Sequence, residues 1–289
     1  MMVEIASVLW GVLSMVSWGS GDFFAKKIVG SLGYYKLLLY TQLIGLAPLL
    51  VLAAVFTPPL PSSLRTIALI VAIGICYFLS LFSLYRGLSI GKVSIITPVA
   101  STWAVVAMAL SFVFLGESLT LSQVFCAAII VGGVILVSVR SSSVAQSSSG
   151  IVYALVCMFF SGLNALFLKL VSMDIGEVGT LFFSRIVVTL ILLMAIPFVG
   201  TSVRRNVCNR FPLKTVTVIG LSEFIGHLGF IVGIGVGIVS IVTPISSASP
   251  AVTVILAQIF LKEELIQLQK IAVALVIIGI VLLSVLSGI

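Results

Sequence analysis

The chain of 289 residues is 61% hydrophobic and only 8% charged, and its mean hydropathy is +1.38. Soluble domains carry roughly a quarter charged residues, so the composition excludes a soluble protein and predicts an integral membrane protein. The net charge of +7 does not indicate a nucleic-acid partner, because basic residues beside apolar segments orient membrane proteins and contact lipid headgroups. The expected partner of this surface is the lipid bilayer.

Ten apolar runs follow one another along the chain, each close to the ~20 residues that a helix needs to cross a bilayer core. They cover residues 5–25, 34–56, 67–86, 93–115, 121–139, 150–171, 178–199, 214–236, 239–261 and 268–287. The first run follows no basic leader and no cleavage site, so we expect it to be retained as a span. The sequence predicts an all-α membrane protein of ten transmembrane helices with short loops.

An internal duplication organises these runs. The stretch from Val93 to Gly133 recurs as Val239 to Gly279 at a shift of 146 residues, without a gap. Earlier in the chain a shift of 143 aligns a fainter copy, in which Gly19, Phe24 and Lys26 face Gly162, Phe167 and Lys169. A repeat over half the length predicts two structurally similar units.

The two repeats are predicted to cross the membrane in opposite senses. Residues 1–140 form the first five-helix repeat, residues 141–149 a Ser-rich linker, and residues 150–289 the second five-helix repeat. Because five is odd, the second repeat begins on the side where the first ends and is inverted. Inverted repeats are typical of secondary transporters; the alternative is that the duplication only builds a stable bundle.

Several short motifs carry a resemblance to a known family. W-G-S-G-D-F stands at 18–23, acidic turns at 116–118 and 262–264, and two similar apolar segments at 132–138 and 278–284. With these motifs the chain resembles the EamA-type branch of the drug/metabolite transporter superfamily. The resemblance implies the two five-helix halves and transport of small metabolites, amino acids or drugs without ATP or another cofactor.

Glu223 and His227 are the candidate proton-coupling residues. Charged groups inside the hydrocarbon are costly and are functional candidates by default, and Glu223 lies about ten residues into the eighth run. His227 follows four residues later on the same helix face. A carboxylate and an imidazole at this spacing can titrate as a coupled pair, which suits a proton-coupled carrier; a buried pair that only holds helices together is the alternative.

A second set of residues is predicted to line a substrate cavity. Its members are aromatic or hydrogen-bonding side chains at similar depth in their runs: Trp18, Ser101, Thr102, Trp103, Asn164, Arg185, Ser246 and Ser249. Such a mixture describes a pocket for a small amphipathic molecule, although Ser and Thr also bond across helices. Arg185 cannot lose its proton, so it either attracts an anionic substrate or pairs with a carboxylate of another span.

Three prolines are predicted to break helices. Pro98 and Pro244 occupy matching positions in the fourth and ninth runs, whereas Pro250 has no counterpart. Proline frees a backbone carbonyl one turn earlier, and broken helices at matching places mark the site of a transporter. Plain kinks are the alternative.

Asp22 has a less specific interpretation. It precedes Lys26 by four residues, a spacing at which side chains meet on a helix. An interfacial ion pair near the end of the first run is the favoured reading.

Other functions need features that the sequence lacks. One histidine and four scattered cysteines predict no metal site, no disulfide framework and no catalytic set, so an intramembrane enzyme is disfavoured. A lipid-linked-substrate flippase remains an alternative, and a channel would need a charge ring or carbonyl filter.

Gly229, Gly233 and Gly237 form a small-residue row that favours packing within a monomer over homodimerisation.

The charge distribution and the family resemblance predict opposite orientations of the chain in the membrane. Loops opposite the termini and their flanks carry twelve Lys and Arg residues and the terminal side carries two. The positive-inside rule then places both termini outside a cell membrane. The resemblance implies cytoplasmic termini instead.

Overall fold

The computed structural model describes residues 2–90, 96, 99–137, 148–199, 212–261 and 267–287, and within these ranges every regular element is a helix. The helices are α1 (Met2–Leu32), α2 (Tyr34–Phe56), α3 (Leu64–Ile90), α4 (Trp103–Leu115), α5 (Leu121–Val137), α6 (Ser148–Val199), α7 (Leu213–Val236), α8 (Val239–Ser246), α9 (Ser249–Leu261) and α10 (Gln267–Ser287). The predicted all-helical class is confirmed for this part of the chain.

Local sequence explains where several helices end. Gly33, with φ 85°, separates α1 from α2, and Gly116, with φ 65°, follows α4; glycine adopts this left-handed region without steric cost. Thr57 caps α2 with φ 40°. Pro58 and Pro59 come next and cannot donate the hydrogen bonds that would continue the helix.

Helix α6 covers two of the predicted runs. Gly176 interrupts it with non-helical angles, φ 72° and ψ 172°, and so divides α6 into a first arm, residues 148–175, and a second arm, residues 177–199. The two arms correspond to the sixth and seventh predicted runs.

The arms of α6 fold back on each other. Ser80 Oγ in α3 lies 2.6 Å from Ser161 Oγ in the first arm, and a methyl group at Gly74 would lie 2.9 Å from Val187 Cβ in the second. A straight helix would separate residues 161 and 187 by about 39 Å, whereas residues 74 and 80 of α3 are only about 9 Å apart. Both arms therefore pack along α3 as a hairpin.

The helices have membrane-spanning character. Five stretches of the described residues are long and apolar enough to cross a bilayer: Tyr34–Phe56, Leu64–Ile90, Gly150–Ile196, Leu213–Val236 and Val239–Phe260. Three shorter apolar helices accompany them, at Val99–Leu115, Leu121–Leu136 and Lys270–Leu283. The chain is a multi-pass membrane protein.

Contacts between α5 and α10 show how the repeats are related. A methyl group at Gly133 would lie 2.8 Å from Val276 Cγ2, and one at Gly279 would lie 2.7 Å from Ile130 Cγ1. These are the same contact with the repeats exchanged, because a shift of 146 carries Ile130 to Val276 and Gly133 to Gly279. Ile130, the earlier residue of α5, contacts Gly279, the later residue of α10, and Gly133 contacts the earlier Val276. These equivalent helices therefore run antiparallel.

A second reciprocal contact joins the helices nearer the centre. A methyl group at Gly19 would lie 2.6 Å from Val252 Cβ, and one at Gly162 would lie 2.6 Å from Val106 Cβ. A shift of 143 carries Gly19 to Gly162, and a shift of 146 carries Val106 to Val252, so the two contacts are one contact with the repeats exchanged. Reciprocal contacts of this kind are the mark of two-fold symmetry, here within one chain.

One end of the bundle is fastened by charged side chains, and we call it the clamped end: Glu117, Lys169 and the α7–α8 turn at Gly237. The Glu117 carboxylate accepts hydrogen bonds from Val239 N (2.8 Å), Ser240 N (2.9 Å) and Ser240 Oγ (2.7 Å). It thereby caps the N-terminus of α8, where negative charge is stabilising. Lys169 Nζ donates to Gly237 O at 3.1 Å, so the turn is held from both repeats.

Candidate functional site

A cavity of about 110 Å³ lies between α1, α3, the α6 first arm and α7, with residues beside the α4 and α9 N-termini completing its wall. Seven residues predicted from the sequence line it: Trp18, Ser101, Trp103, Asn164, Glu223, His227 and Ser249. These seven residues come from five helical segments that are distant in sequence, and α3 adds Tyr77 and Ser80 as a sixth.

Glu223 lies at the centre of the polar network. Tyr77 Oη donates to Glu223 Oε2 at 3.2 Å, and His227 Nδ1 lies 3.4 Å from the same oxygen. His227 Nδ1 is also 2.9 Å from the backbone carbonyl of Glu223, while Trp18 Nε1 donates to Nδ1 at 3.3 Å. His227 Nδ1 can accept from Trp18 or, when protonated, donate to Glu223, but it cannot do both.

This network joins equivalent positions of the two repeats. Tyr77 and Glu223 are 146 residues apart, which is the shift of the duplication, and Gln42 and Arg185 are 143 apart. Gln42 Nε2 donates to Tyr77 Oη at 3.1 Å, and the Arg185 guanidinium acts electrostatically on Glu223. The first repeat therefore contributes two neutral side chains, Gln42 and Tyr77, and the second a basic and an acidic side chain, Arg185 and Glu223.

Arg185 lines a smaller adjoining cavity instead of the main one. This cavity of about 20 Å³ is separated from the main cavity by Tyr77, Asn164 and His227, which line both. Arg185 is 5% exposed, and its Nη1 has no hydrogen-bond partner in the described part of the protein. A side chain at Gly45 would collide with the guanidinium, so this glycine leaves the space that Arg185 fills.

Aromatic rings form one wall of the main cavity. Trp18 and Trp103 meet edge to face with ring centroids 6.2 Å apart, and Phe230 lies 5.7 Å from Trp18 and 5.6 Å from Trp103. Gly226 permits this arrangement, because a side chain there would collide with the Trp18 indole. Such edge-to-face pairs are favourable for π systems.

Small polar groups form a second part of the cavity wall. Ser80 Oγ lies 2.6 Å from Ser161 Oγ and 3.5 Å from Cys157 Sγ. Asn164 is 7% exposed, and its Oδ1 has no partner among the described residues. The wall thus offers hydroxyl groups and one unmatched acceptor.

Besides Arg185, two more of the predicted cavity residues, Thr102 and Ser246, do not line the main cavity. Thr102 Oγ1 donates to Val99 O at 2.7 Å and contacts Met158 Sδ at 3.1 Å. Ser246 is fully buried and donates to Gly11 O at 3.4 Å. Both side chains contact a neighbouring helix instead.

The favoured interpretation of Asp22 is wrong. Asp22 lines the main cavity, whereas the Lys26 side chain is exposed. The described residues contain no ion pair between the two. Helix α1 extends to Leu32, so Asp22 is ten residues from its end and lies in the interior of the helix.

Both repeats break their helix at the same place beside the cavity. Thr102 N donates to Val99 O at 3.3 Å, and Ala248 N donates to Ile245 O at 3.1 Å. Each bond spans three residues instead of four, and a shift of 146 converts one into the other. Matching helix breaks were predicted, and the described residues contain this matching pair.

The prolines lie around these breaks. Pro244 is inside α8, one turn before the break, and Pro250 lies in the first turn of α9, where a missing N–H costs little. Pro98 lies outside the described residues. Pro250 therefore starts the helix that follows the break.

The described residues contain no group of three or more His, Cys, Asp or Glu side chains placed to hold a metal ion. Cys76, Cys126 and Cys157 are free thiols. Among the lining residues that the sequence analysis did not single out, those with polar or aromatic side chains are Tyr77, Ser80, Cys157, Ser161 and Phe230. Tyr77 could have been found, because it is the repeat equivalent of Glu223.

Comparison with known proteins gives the family. The chain is 27% identical over 277 residues to an uncharacterized transporter of Archaeoglobus fulgidus, covering 96% of this chain and 97% of that protein. An uncharacterized protein of Methanocaldococcus jannaschii is 26% identical over 135 residues, which are 47% of this chain and 98% of the relative. A solved crystal structure shares the fold with a TM-score of 0.77 at 18% identity, covering 98% of this chain and 97% of the other. The EamA-like transporter family matches residues 5–139 and again 148–285, and the chain belongs to this family of membrane transporters.

Proposed function

We propose that the protein is a secondary transporter of small organic metabolites, such as amino acids or amphipathic drugs, and that it couples their movement to protons by alternating access. One observation carries the proposal: the cavity lies where equivalent positions of two antiparallel repeats meet, at Tyr77 and Glu223. Ten crossings in two inverted five-helix repeats, 1–140 and 150–289 with a linker at 141–149, are part of the proposal. Two such halves can exchange conformations around a site between them.

The proposed coupling uses Glu223 and His227. A proton on His227 Nδ1 would replace the Trp18 hydrogen bond with one to Glu223, and Trp18 lines the cavity. The charged and titratable groups that face Glu223 are Tyr77 from α3, Arg185 from α6 and Asp22 from α1. Proton and solute both have to reach this cavity, so one exchange of the halves would move both.

Counterflow tests transport directly. The purified protein in liposomes is loaded with one unlabelled solute at a time, and uptake of the labelled solute is followed. Saturable uptake that depends on the internal solute supports a carrier. Unsaturable flux would indicate a channel, a chemically altered solute an enzyme, and movement of a labelled lipid-linked sugar a flippase.

Variants with an imposed pH gradient test the coupling. Glu223→Gln keeps the size and hydrogen bonding of the side chain but cannot titrate, so we expect exchange without pH-driven accumulation. His227→Ala should shift the pH optimum. Glu177→Gln is the matched control, because Glu177 lies beside Gly235 outside the cavity. Accumulation by Glu223→Gln at the parent rate would show that this glutamate is structural.

We further propose a cell membrane location with both termini outside, because twelve basic residues flank the opposite face and two the terminal face. The protein should act as a monomer. A tag at residue 289 in intact cells should react with an impermeant reagent. Absence of labelling, with labelling restored on lysis, would place the termini in the cytoplasm.

A further inference from the structure

The cavity contains two carboxylates with different surroundings. Glu223 accepts a hydrogen bond from Tyr77, lies 3.4 Å from His227 and is acted on by the Arg185 charge. Asp22 lines the same cavity and has no hydrogen-bond or ion-pair partner in the described part of the chain. A charge in a low-dielectric site requires a partner, and for Asp22 the protein supplies none.

The position of Asp22 places it beside the aromatic wall. Trp18 and Asp22 are one helical turn apart on α1 and share a face, and both line the cavity. Trp103 meets Trp18 edge to face within the same wall. An organic cation is attracted both by a carboxylate and by the faces of aromatic rings.

Asn164 gives an independent indication of the same ligand chemistry. Its side chain is 7% exposed and lines the cavity, and its Oδ1 has no donor among the described residues. A buried acceptor without a donor is costly, so a small turn of the Asn164 side chain toward a bound solute with N–H groups would satisfy it. No Lys or Arg of the described residues lines the main cavity, since Arg185 faces the smaller one.

The cavity is larger than a single ion or water molecule requires. One water needs roughly 10–15 Å³ of such volume, so about 110 Å³ accommodates a small organic molecule. We propose that the cavity binds its solute through a primary ammonium group, with Asp22 as the counter-charge, Asn164 accepting a hydrogen bond and the aromatic wall packing on the apolar part. This deepens the proposed transport function by naming the substrate class, but it can be tested by binding alone.

Calorimetry on the purified full chain in detergent compares three probes of nearly equal shape: phenethylammonium, the neutral 2-phenylethanol and the anionic 3-phenylpropanoate. Phenethylammonium should bind at least tenfold more tightly than 2-phenylethanol, and 3-phenylpropanoate should not bind measurably. Asp22→Asn should reduce the affinity for phenethylammonium to that for the alcohol. Asp22→Glu should restore most of the preference, which shows that the charge and not the fold was lost.

Lys26→Gln is the matched control, since it removes the charge with which Asp22 would pair at an interface. It should leave all three affinities unchanged. Equal binding of the alcohol and the ammonium, no binding of the ammonium, or a preference that survives Asp22→Asn would each overturn the inference. These outcomes are separate from transport: tight ammonium binding without counterflow would refute the carrier and leave the ammonium site standing.

Discussion

The clamped end offers a quantitative test of how the bundle is held closed. Glu117 is the acceptor of three hydrogen bonds at the start of α8, and both residues it contacts, Val239 and Ser240, are buried. Glu117→Ala leaves two buried N–H groups without an acceptor. Each such loss costs about 1–3 kcal/mol, and loss of a helix cap costs about 0.5–2 kcal/mol.

We therefore expect Glu117→Ala to destabilise the clamped conformation by about 3 kcal/mol, after allowing for partial replacement by water. A change of this size alters the ratio of clamped to opened protein on the order of a hundredfold. Thr243 in α8 is a suitable reporter, because it is fully buried one turn beyond the capped residues. Thr243→Cys, in a chain whose native cysteines are replaced, would react with an impermeant maleimide only when this end opens.

The labelling rate of Thr243→Cys should rise by roughly the same hundredfold in Glu117→Ala and by less in Glu117→Gln, which keeps one acceptor oxygen. Ser118→Ala alters an exposed neighbour and should change nothing. If Glu117→Ala labels within twofold of its parent while unfolding at the same temperature, the cap does not hold this end closed.

The remaining predictions concern packing and the polar network. Gly133→Ala should lower the unfolding temperature, because the added methyl group would meet backbone as well as side-chain atoms of α10 and overpacking costs about 1–3 kcal/mol; an unchanged temperature would contradict close α5–α10 packing. Lys169→Met removes the hydrogen bond to Gly237 O and should increase labelling at the clamped end less than Glu117→Ala does. Tyr77→Phe leaves the Gln42 amide without its acceptor and should slow solute exchange while solute binding persists. Counterflow measures the exchange and calorimetry the binding, both on the same preparation.

The general architecture could be predicted because the bilayer restricts it. Spanning segments must satisfy their own backbone hydrogen bonds, so apolar length alone identifies helices, and the shift of 146 residues identifies the two repeats. The hairpin within α6 fits the same reasoning, since the gap between the sixth and seventh runs contains Gly176, which leaves the helical region. Each of these features is local or periodic in the sequence.

The site was predicted less completely, because sequence gives the depth of a residue along its span but not its direction around the helix axis. Thr102 and Ser246, for example, each contact a neighbouring helix instead of the main cavity. The helix breaks add to this difficulty, since a three-residue turn rotates everything after it relative to a regular helix. Asp22 was misplaced for another reason: the apolar run ends near residue 25, whereas α1 continues to Leu32.

The reciprocal contacts of α5 and α10 bear on what moves in such a molecule. Exchanging the conformations of two related halves converts every contact between them into its symmetry mate. Two contacts at the α5–α10 interface, Gly133 with Val276 and Gly279 with Ile130, are already symmetry mates of each other. The exchange converts each contact into the other and so leaves this interface unchanged. The interface can therefore serve as a pivot. The Tyr77–Glu223 hydrogen bond joins two positions that are equivalent in the two repeats. The same exchange therefore carries this bond onto its own place. A proton held at that bond would stay almost stationary while the side from which water reaches it changes.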